Sequence, residues 1–227
     1  MHEAFKAWDA AQETLESIED RIHDGVPREK LLDRGAGYAA RVLAAPTWMK
    51  LRPKDLVVEI GSGVGYVMQA LADQAGLERV TGLDVAPAMI EHAKARLQRD
   101  GLPAERFAFQ HYDGITLPWK DGTVDLFYSV AVVLHIPKPL AYHLMLEIQR
   151  CLKPGGTAVL QTLSWDFLPH HHLSFAQEIE NQVKGTTTHW HHFYDRIELE
   201  TILTHGLHVR EQRIAQEGAS IWVAWRK

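Results

Sequence analysis

The segment Val58-Glu59-Ile60-Gly61-Ser62-Gly63-Val64-Gly65 carries the residue types best suited to grip a ligand. Glycines at 61 and 63 tolerate positive φ and let backbone approach a bound molecule closely. A helix starting there would turn exposed amides toward an anionic group. The spacing departs from the dinucleotide fingerprint, which places glycines at its first, third and sixth positions. Here the sixth position is Tyr66, and the third glycine falls at Gly65. Glu59 precedes the glycines; a carboxylate there sits poorly beside a pyrophosphate. It suits the amino or sulfonium positive charge of an aminoacyl nucleoside. Standing alone, the motif also fits a tight turn with no ligand.

Histidine supplies the other conspicuous chemistry. His170-His171-His172 and His189-Trp190-His191-His192 flank one stretch of chain. They read as a solvated polar loop, as acceptor recognition, or as a metal site. No acidic cluster completes a metal pattern, so no metal is expected. Trp165 and Trp190 would line an aromatic-accepting pocket or simply pack the region. The lone cysteine, Cys151, stands beside Leu152 in an apolar stretch and reads as a core thiol.

These residues need a scaffold to bring them together. Apolar residues Trp8, Ala11, Leu15, Ile18 and Ile22 fall on one helix face. Gly25 and Pro27 end that helix and start a second over 27–45, interrupted near Gly35 and Gly37 and stopped by Pro46. From 56 the pattern becomes strand, turn, helix, repeated. Strands are expected at 56–60, 79–83, 106–110, 124–130 and 157–163. Helices are expected at 64–75, 87–100 and 140–152, with a turn at 153–156. This alternation implies right-handed crossovers and a parallel sheet. Residues 164–192 break the rhythm, with one short helix near 173–183. A helix at 196–204 and strands at 207–214 and 220–225 follow. The last link is too short for a crossover, so these two strands pair antiparallel. The expected fold is α/β: a Rossmann-like, mixed, mostly parallel seven-stranded sheet, helices on both faces, and an N-terminal helical extension.

Bulk properties narrow the classes. The chain has 227 residues, enough for one α/β domain with an appendage. Residues 1–50 form the extension or lid, and 51–227 the ligand-binding domain. Hydrophobic residues at 46% and charged residues at 23% suit a soluble globular protein. A formal net charge of −5 argues against nucleic acid as main partner, since phosphate binding needs clustered Lys and Arg. No apolar run reaches transmembrane length, and the N-terminus lacks a signal-peptide core. No membrane partner and a cytoplasmic location are therefore expected; composition leaves the oligomeric state open.

The motifs taken in order resemble class I S-adenosylmethionine-dependent methyltransferases. Glu59 to Gly65 is similar to that family's first motif. Val80 to Ile90 resembles its second strand, acidic strand end and following helix. Asp113-Gly114-Ile115-Thr116-Leu117-Pro118-Trp119 resembles the segment after its third strand, with Trp119 where Phe is common. Asp121 to His135 resembles the fourth strand, Leu152 to Thr157 the turn into the fifth, and Phe193 to Leu207 the helix before the sixth. The likeness spans roughly residues 50 to 227. It implies S-adenosylmethionine as cofactor. Gly61 and Gly63 would meet the methionine part, with Glu59 supporting that site. Asp84 would accept from both ribose hydroxyls, or act as a helix cap. Asp113 would accept from the adenine amino group with Gly114 leaving room, or serve only the turn. Val85 and Met89 would touch adenine, although Met89 suits the core equally.

The implied reaction is methyl transfer to a small-molecule acceptor, an O or N nucleophile being favoured. Such a donor is already activated, so catalysis rests mostly on positioning and water exclusion. His135, expected at the end of the fourth strand and facing the cleft, is the candidate base, with a structural role as its alternative. Residues 164–192 would build the acceptor pocket. Two competing readings remain. One is a nicotinamide-dependent oxidoreductase, against which Tyr66 and the missing Tyr-x-x-x-Lys pair both weigh. The other is a cofactor-binding protein without catalysis.

Overall fold

The computed structural model describes Trp8 and residues 13–23, 25–170, 174–184 and 191–227. Seven strands form one sheet: Val57–Ile60 (β1), Val80–Asp84 (β2), Phe107–His111 (β3), Val124–Ser129 (β4), Leu152–Leu163 (β5), Glu211–Glu217 (β6) and Ser220–Arg226 (β7). Their order is β3-β2-β1-β4-β5-β7-β6. The first five run parallel. β7 runs antiparallel to both β5 and β6, so the reversed strand lies one in from the edge.

Pleating divides the sheet residues between two cores. Val57, Tyr128 and Val159 face Val42, Met68 and Leu71. Val58, Phe127 and Leu160 face Leu144, Ile148 and Trp225. All of β1 is buried, which is why its sequence is nearly continuous apolar residues. Helices Tyr66–Ala75 (α3), Pro87–Arg99 (α4) and Lys138–Cys151 (α5) cover these faces as crossovers. Chain order reverses between β1 and β4, and open α/β sheets form their ligand crevice at that switch point, outside the carboxyl strand ends.

The N-terminal extension is helical where it is described: Leu15–Ile22 (α1) and Leu31–Ala44 (α2), joined by a 3-10 turn at Arg28–Lys30. Thr14 caps α1 by accepting from the Ser17 N–H. Ala11 lies outside the described residues. The expected interruption near Gly35 and Gly37 is absent. A Cβ at Gly35 would come within 2.8 Å of the Tyr66 carbonyl oxygen, so this glycine serves close packing of α2 on α3.

Other boundaries differ from expectation. Pro154, Gly155 and Gly156 are not a turn before β5 but lie inside it. The register shift opposite Val124 and Leu126 absorbs them. β6 starts at Glu211 rather than near 207, because the helix Arg196–Thr201 (α8) continues into a π-helical turn, Ile202–Gly206. The interruption after β5 holds two helices, Phe167–His170 (α6) and Phe175–Lys184 (α7). No described helix is long and apolar enough to cross a membrane.

Trp225 shows how strongly β7 is tied to the core. It is fully buried, and its indole Nε1 donates to Gln149 Oε1 of α5 at 3.1 Å. Trp225→Ala is expected to cost about 3–5 kcal/mol, read as a lower urea midpoint. An unchanged midpoint would mean that β7 does not share the cooperative core.

Candidate active site

The glycine turn folds back on the end of β2. Gly61, Gly63 and Gly65 all have positive φ, at 69°, 51° and 86°. The N–H groups of Gly61 and Ser62 both donate to the Leu83 carbonyl, at 2.8 and 2.9 Å. The Gly63 N–H donates to Asp84 Oδ2 at 3.2 Å, and the Gly65 N–H to the Ser62 carbonyl at 2.9 Å. The N–H groups of Gly61, Ser62, Gly63 and Gly65 are therefore spent internally, while none of these bonds uses the first amides of α3, those of Tyr66 and Val67. Among the described residues nothing donates to the Gly61 or Gly63 carbonyls.

Asp84 is the hub of this arrangement. It is 8% exposed, and its Oδ1 accepts from the Ala86 N–H at 3.0 Å while Oδ2 takes Gly63. Ala86 caps α4, so Asp84 does serve a helix end as well as the turn. A carboxylate has about four acceptor sites, so these backbone donors leave part of its capacity for a ligand. Burial pushes its carboxyl above the usual range, opposed by the N–H groups of Ala86, Gly63 and Val85.

Glu59 lies behind the turn. It is 2% exposed, its Oε2 accepts from the Tyr128 hydroxyl at 3.1 Å, and the Met68 N–H donates to it. It thereby satisfies an amide in the first turn of α3 from inside the protein. Burial, aided by the Asp84 charge, pushes Glu59 well above the usual carboxylate range.

Asp113 follows β3 on the same edge, next to Tyr112, whose N–H donates to the Asp84 carbonyl at 3.2 Å. Its Oδ1 accepts from Ile115 at 2.8 Å and Thr116 at 2.7 Å, forming an Asx turn. Those two bonds, Thr116 foremost, hold its pKa down, and its second oxygen remains for a ligand. Gly114 is buried with φ of 85°. Val85 is half-buried. Met89 is 3% exposed and packs with Ile18, Val64 and Ala86 beneath α1, so it belongs to the core under the site.

His135 lies not on β4, which ends at Ser129, but in a 3-10 turn at Val133–His135. Gln161 of β5 shapes the link, accepting from the Ala131 N–H at 2.8 Å, where Ala131 has φ of 57°. The His135 ring centroid is 5.0 Å from Trp8 and 5.3 Å from His191, and His191 is 5.0 Å from Phe167. The His192 N–H donates to the Leu134 carbonyl at 2.7 Å, pinning the returning chain beside this turn. Burial, with Lys138 and His191 nearby, lowers the His192 pKa and favours its neutral form. His170 closes α6. His171, His172, His189 and Trp190 lie outside the described residues. Trp165 packs 4.6 Å from Phe193 and 5.5 Å from Phe175. Among the described residues no three His, Cys, Asp or Glu side chains group as a metal would need.

Sequence reasoning passed over Tyr128 and Phe167, and took Trp8 only as a helix-face residue. Tyr128 had a usable signal: it pairs with Glu59 across β1 and β4, so a buried acid there needs a donor from that position. Phe167 and Trp8 meet the histidines only through the fold.

Comparison with known proteins agrees with this geometry. Residues 58–160 match the family model described as a methyltransferase domain. The chain is 30% identical over 166 residues to malonyl-[acyl-carrier protein] O-methyltransferase 1 of Coxiella burnetii, covering 73% of this chain and 51% of that one. It is 28% identical over 153 residues to 27-O-demethylrifamycin SV methyltransferase of Amycolatopsis mediterranei, covering 67% and 48%. The chain spans about half the length of these two curated relatives and 37% of another. Its fold is similar to that of a Haemonchus contortus phosphoethanolamine N-methyltransferase solved with S-adenosylhomocysteine. There the TM-score is 0.72 at 15% identity, covering 100% of this chain and 61% of that one.

The Tyr128–Glu59 bond yields a stability test. Tyr128→Phe removes the donor from a buried carboxyl and is expected to cost about 1–3 kcal/mol in chemical denaturation. No loss would show that Glu59 does not depend on this hydroxyl.

Proposed function

The chain belongs to the class I S-adenosylmethionine-dependent methyltransferases, and from that premise we propose that it methylates a small-molecule acceptor through an oxygen or nitrogen nucleophile. The observation that carries the reading is the glycine turn whose Gly61, Ser62 and Gly63 N–H groups are held by Leu83 and Asp84. A pyrophosphate needs several free donors, and these three are taken.

S-adenosylmethionine supplies an activated methyl carbon when bound. Gly61 and Gly63 flank its methionine part, with Glu59 holding the turn from beneath. Asp84 turns its remaining acceptor capacity to the ribose diol, and the second Asp113 oxygen takes the adenine amino group. Gly114 leaves space for the ring, and Val85 gives it an apolar contact. Met89 acts one layer below, by supporting Ala86 and Val64. His135 takes the proton released by the acceptor. Phe167 and His191 wall the acceptor side, and α1 with Trp8 forms the lid.

Calorimetric titration with S-adenosylmethionine, S-adenosylhomocysteine and NADH tests the cofactor. Both adenosyl ligands are expected to bind and NADH is not. Asp84→Ala should weaken the adenosyl ligands by about 1–3 kcal/mol. Because its pKa is raised in the folded protein, protonation removes acceptors from Asp84 at a higher pH than for an ordinary aspartate. Affinity should therefore fall on acidification earlier than an unperturbed carboxylate would give. Tight NADH binding with none for the adenosyl ligands would overturn the reading. A labelled-methyl screen of metabolite pools identifies the acceptor. With it, His135→Ala should lose about 10²–10⁴-fold in rate. An unchanged rate across pH would remove His135 as the base.

A further inference from the structure

Glu19 has no part in the site described above, yet it is the most heavily bonded acid of the N-terminal extension. It sits on α1 and is 4% exposed. Its Oε1 accepts from the Tyr66 hydroxyl at 2.7 Å and from Arg99 Nη2 at 2.9 Å, and its Oε2 accepts from Arg99 Nη1 at 2.9 Å. Arg99 Nη2 also donates to the Tyr66 hydroxyl at 3.2 Å, closing the triangle. A two-pronged guanidinium–carboxylate contact of this kind fixes geometry as well as adding energy. Burial alone would raise the Glu19 pKa, but the bonds from Arg99 and Tyr66 outweigh it and keep the group charged.

The clamp joins three elements at the cofactor side. Arg99 closes α4, which follows Asp84. Tyr66 opens α3 immediately after the glycine turn. The Arg96 guanidinium lies 3.9 Å over the Tyr66 ring and its Nη1 donates to the Gly65 carbonyl at 3.3 Å, so Tyr66 is itself held to the turn. Less than one helical turn beyond Glu19, Ile22 places its Cδ1 3.3 Å from where a Cβ on Gly63 would lie. The Arg21 guanidinium lies 5.7 Å over the Trp8 ring, and Trp8 stands 5.0 Å from His135. One short helix thus presses on the glycine turn and steadies an aromatic ring against the candidate base.

We propose that Glu19 is a positioning residue for the cofactor. Its clamp on Arg99 and Tyr66 holds α1 down over the glycine turn, and the cofactor enters and leaves only when that clamp opens and Trp8 withdraws from His135. The inference rests on the S-adenosylmethionine reading and deepens it. It makes release of S-adenosylhomocysteine depend on a side chain that does not touch it.

The test is the dissociation rate of S-adenosylhomocysteine from the full chain by surface plasmon resonance, beside the thermal midpoint of each variant. Glu19→Ala and Arg99→Ala should each speed dissociation by at least about tenfold. The double variant should be no faster than either single one, because both break the same clamp. Glu19→Gln, which keeps the Tyr66 bond and loses the charge, should fall between, and it serves if the alanine variants do not fold. A lowered thermal midpoint with an unchanged dissociation rate would overturn the proposal and leave Glu19 a purely structural residue. Wild-type protein that binds no S-adenosylhomocysteine would instead overturn the cofactor reading itself. Amide hydrogen exchange without ligand then decides the clamp alone: residues 15–22 should exchange faster in Glu19→Gln, and equal exchange would refute it.

Discussion

Everything at the carboxyl edge hangs from the end of β2, where Leu83 and Asp84 gather the amides of the glycine turn. The Leu83 carbonyl takes two of them and the Asp84 carboxylate a third. Such bonds are worth only about 1 kcal/mol each in net stability. Their larger effect is on conformation. They lock three left-handed glycines into one shape and set where α3 begins. The same carboxylate also caps α4 through Ala86. A single acid therefore sets the direction of two helices and remains able to accept from a ligand.

The second half of the site is assembled over much longer chain separations. His135 comes from the turn after β4, Phe167 from α6, His191 from the chain returning to α8, and Trp8 from the N-terminal extension. Hydrogen bonds to the backbone help hold these pieces, whose rings pack on one another. Gln161 secures Ala131, and the Leu134 carbonyl secures His192. The division is physically sensible. The half proposed for the cofactor is built from strand ends and helix starts, which are rigid. The half proposed for the acceptor is built from turns and short helices, which tolerate change.

The strand-and-helix alternation and the glycine turn were legible because they follow from local rules. A strand buried on both faces must be apolar throughout, and a turn with positive φ selects glycine. The positions of Asp84, at the end of β2, and of Asp113, just after β3, were legible for a similar reason. Other features depended on partners distant in sequence. Pro154-Gly155-Gly156 has the composition of a turn, but pairing of β5 with both β4 and β7 draws it into the strand. His135 falls past its strand because Gln161, on another strand, holds Ala131 in a left-handed conformation. Glu59 reads from sequence as facing a ligand; only the Tyr128 and Met68 donors show that it points inward. Gly35 looks like a helix breaker until α3 is seen packed against it.

The central claim is that the turn between β1 and α3, with Asp84 and Asp113, is an adenosyl site. The most direct measurement is the two-dimensional ¹H–¹⁵N spectrum of the labelled protein during addition of S-adenosylhomocysteine. The account predicts that the largest shifts fall on the amides of Gly61, Gly63, Val85 and Gly114. A different cavity, of about 280 Å³ between Trp48, Arg52 and Lys153 at the opposite edge of the sheet, should stay unperturbed. Shifts confined to that opposite edge, with the glycine turn unmoved at saturation, would contradict it.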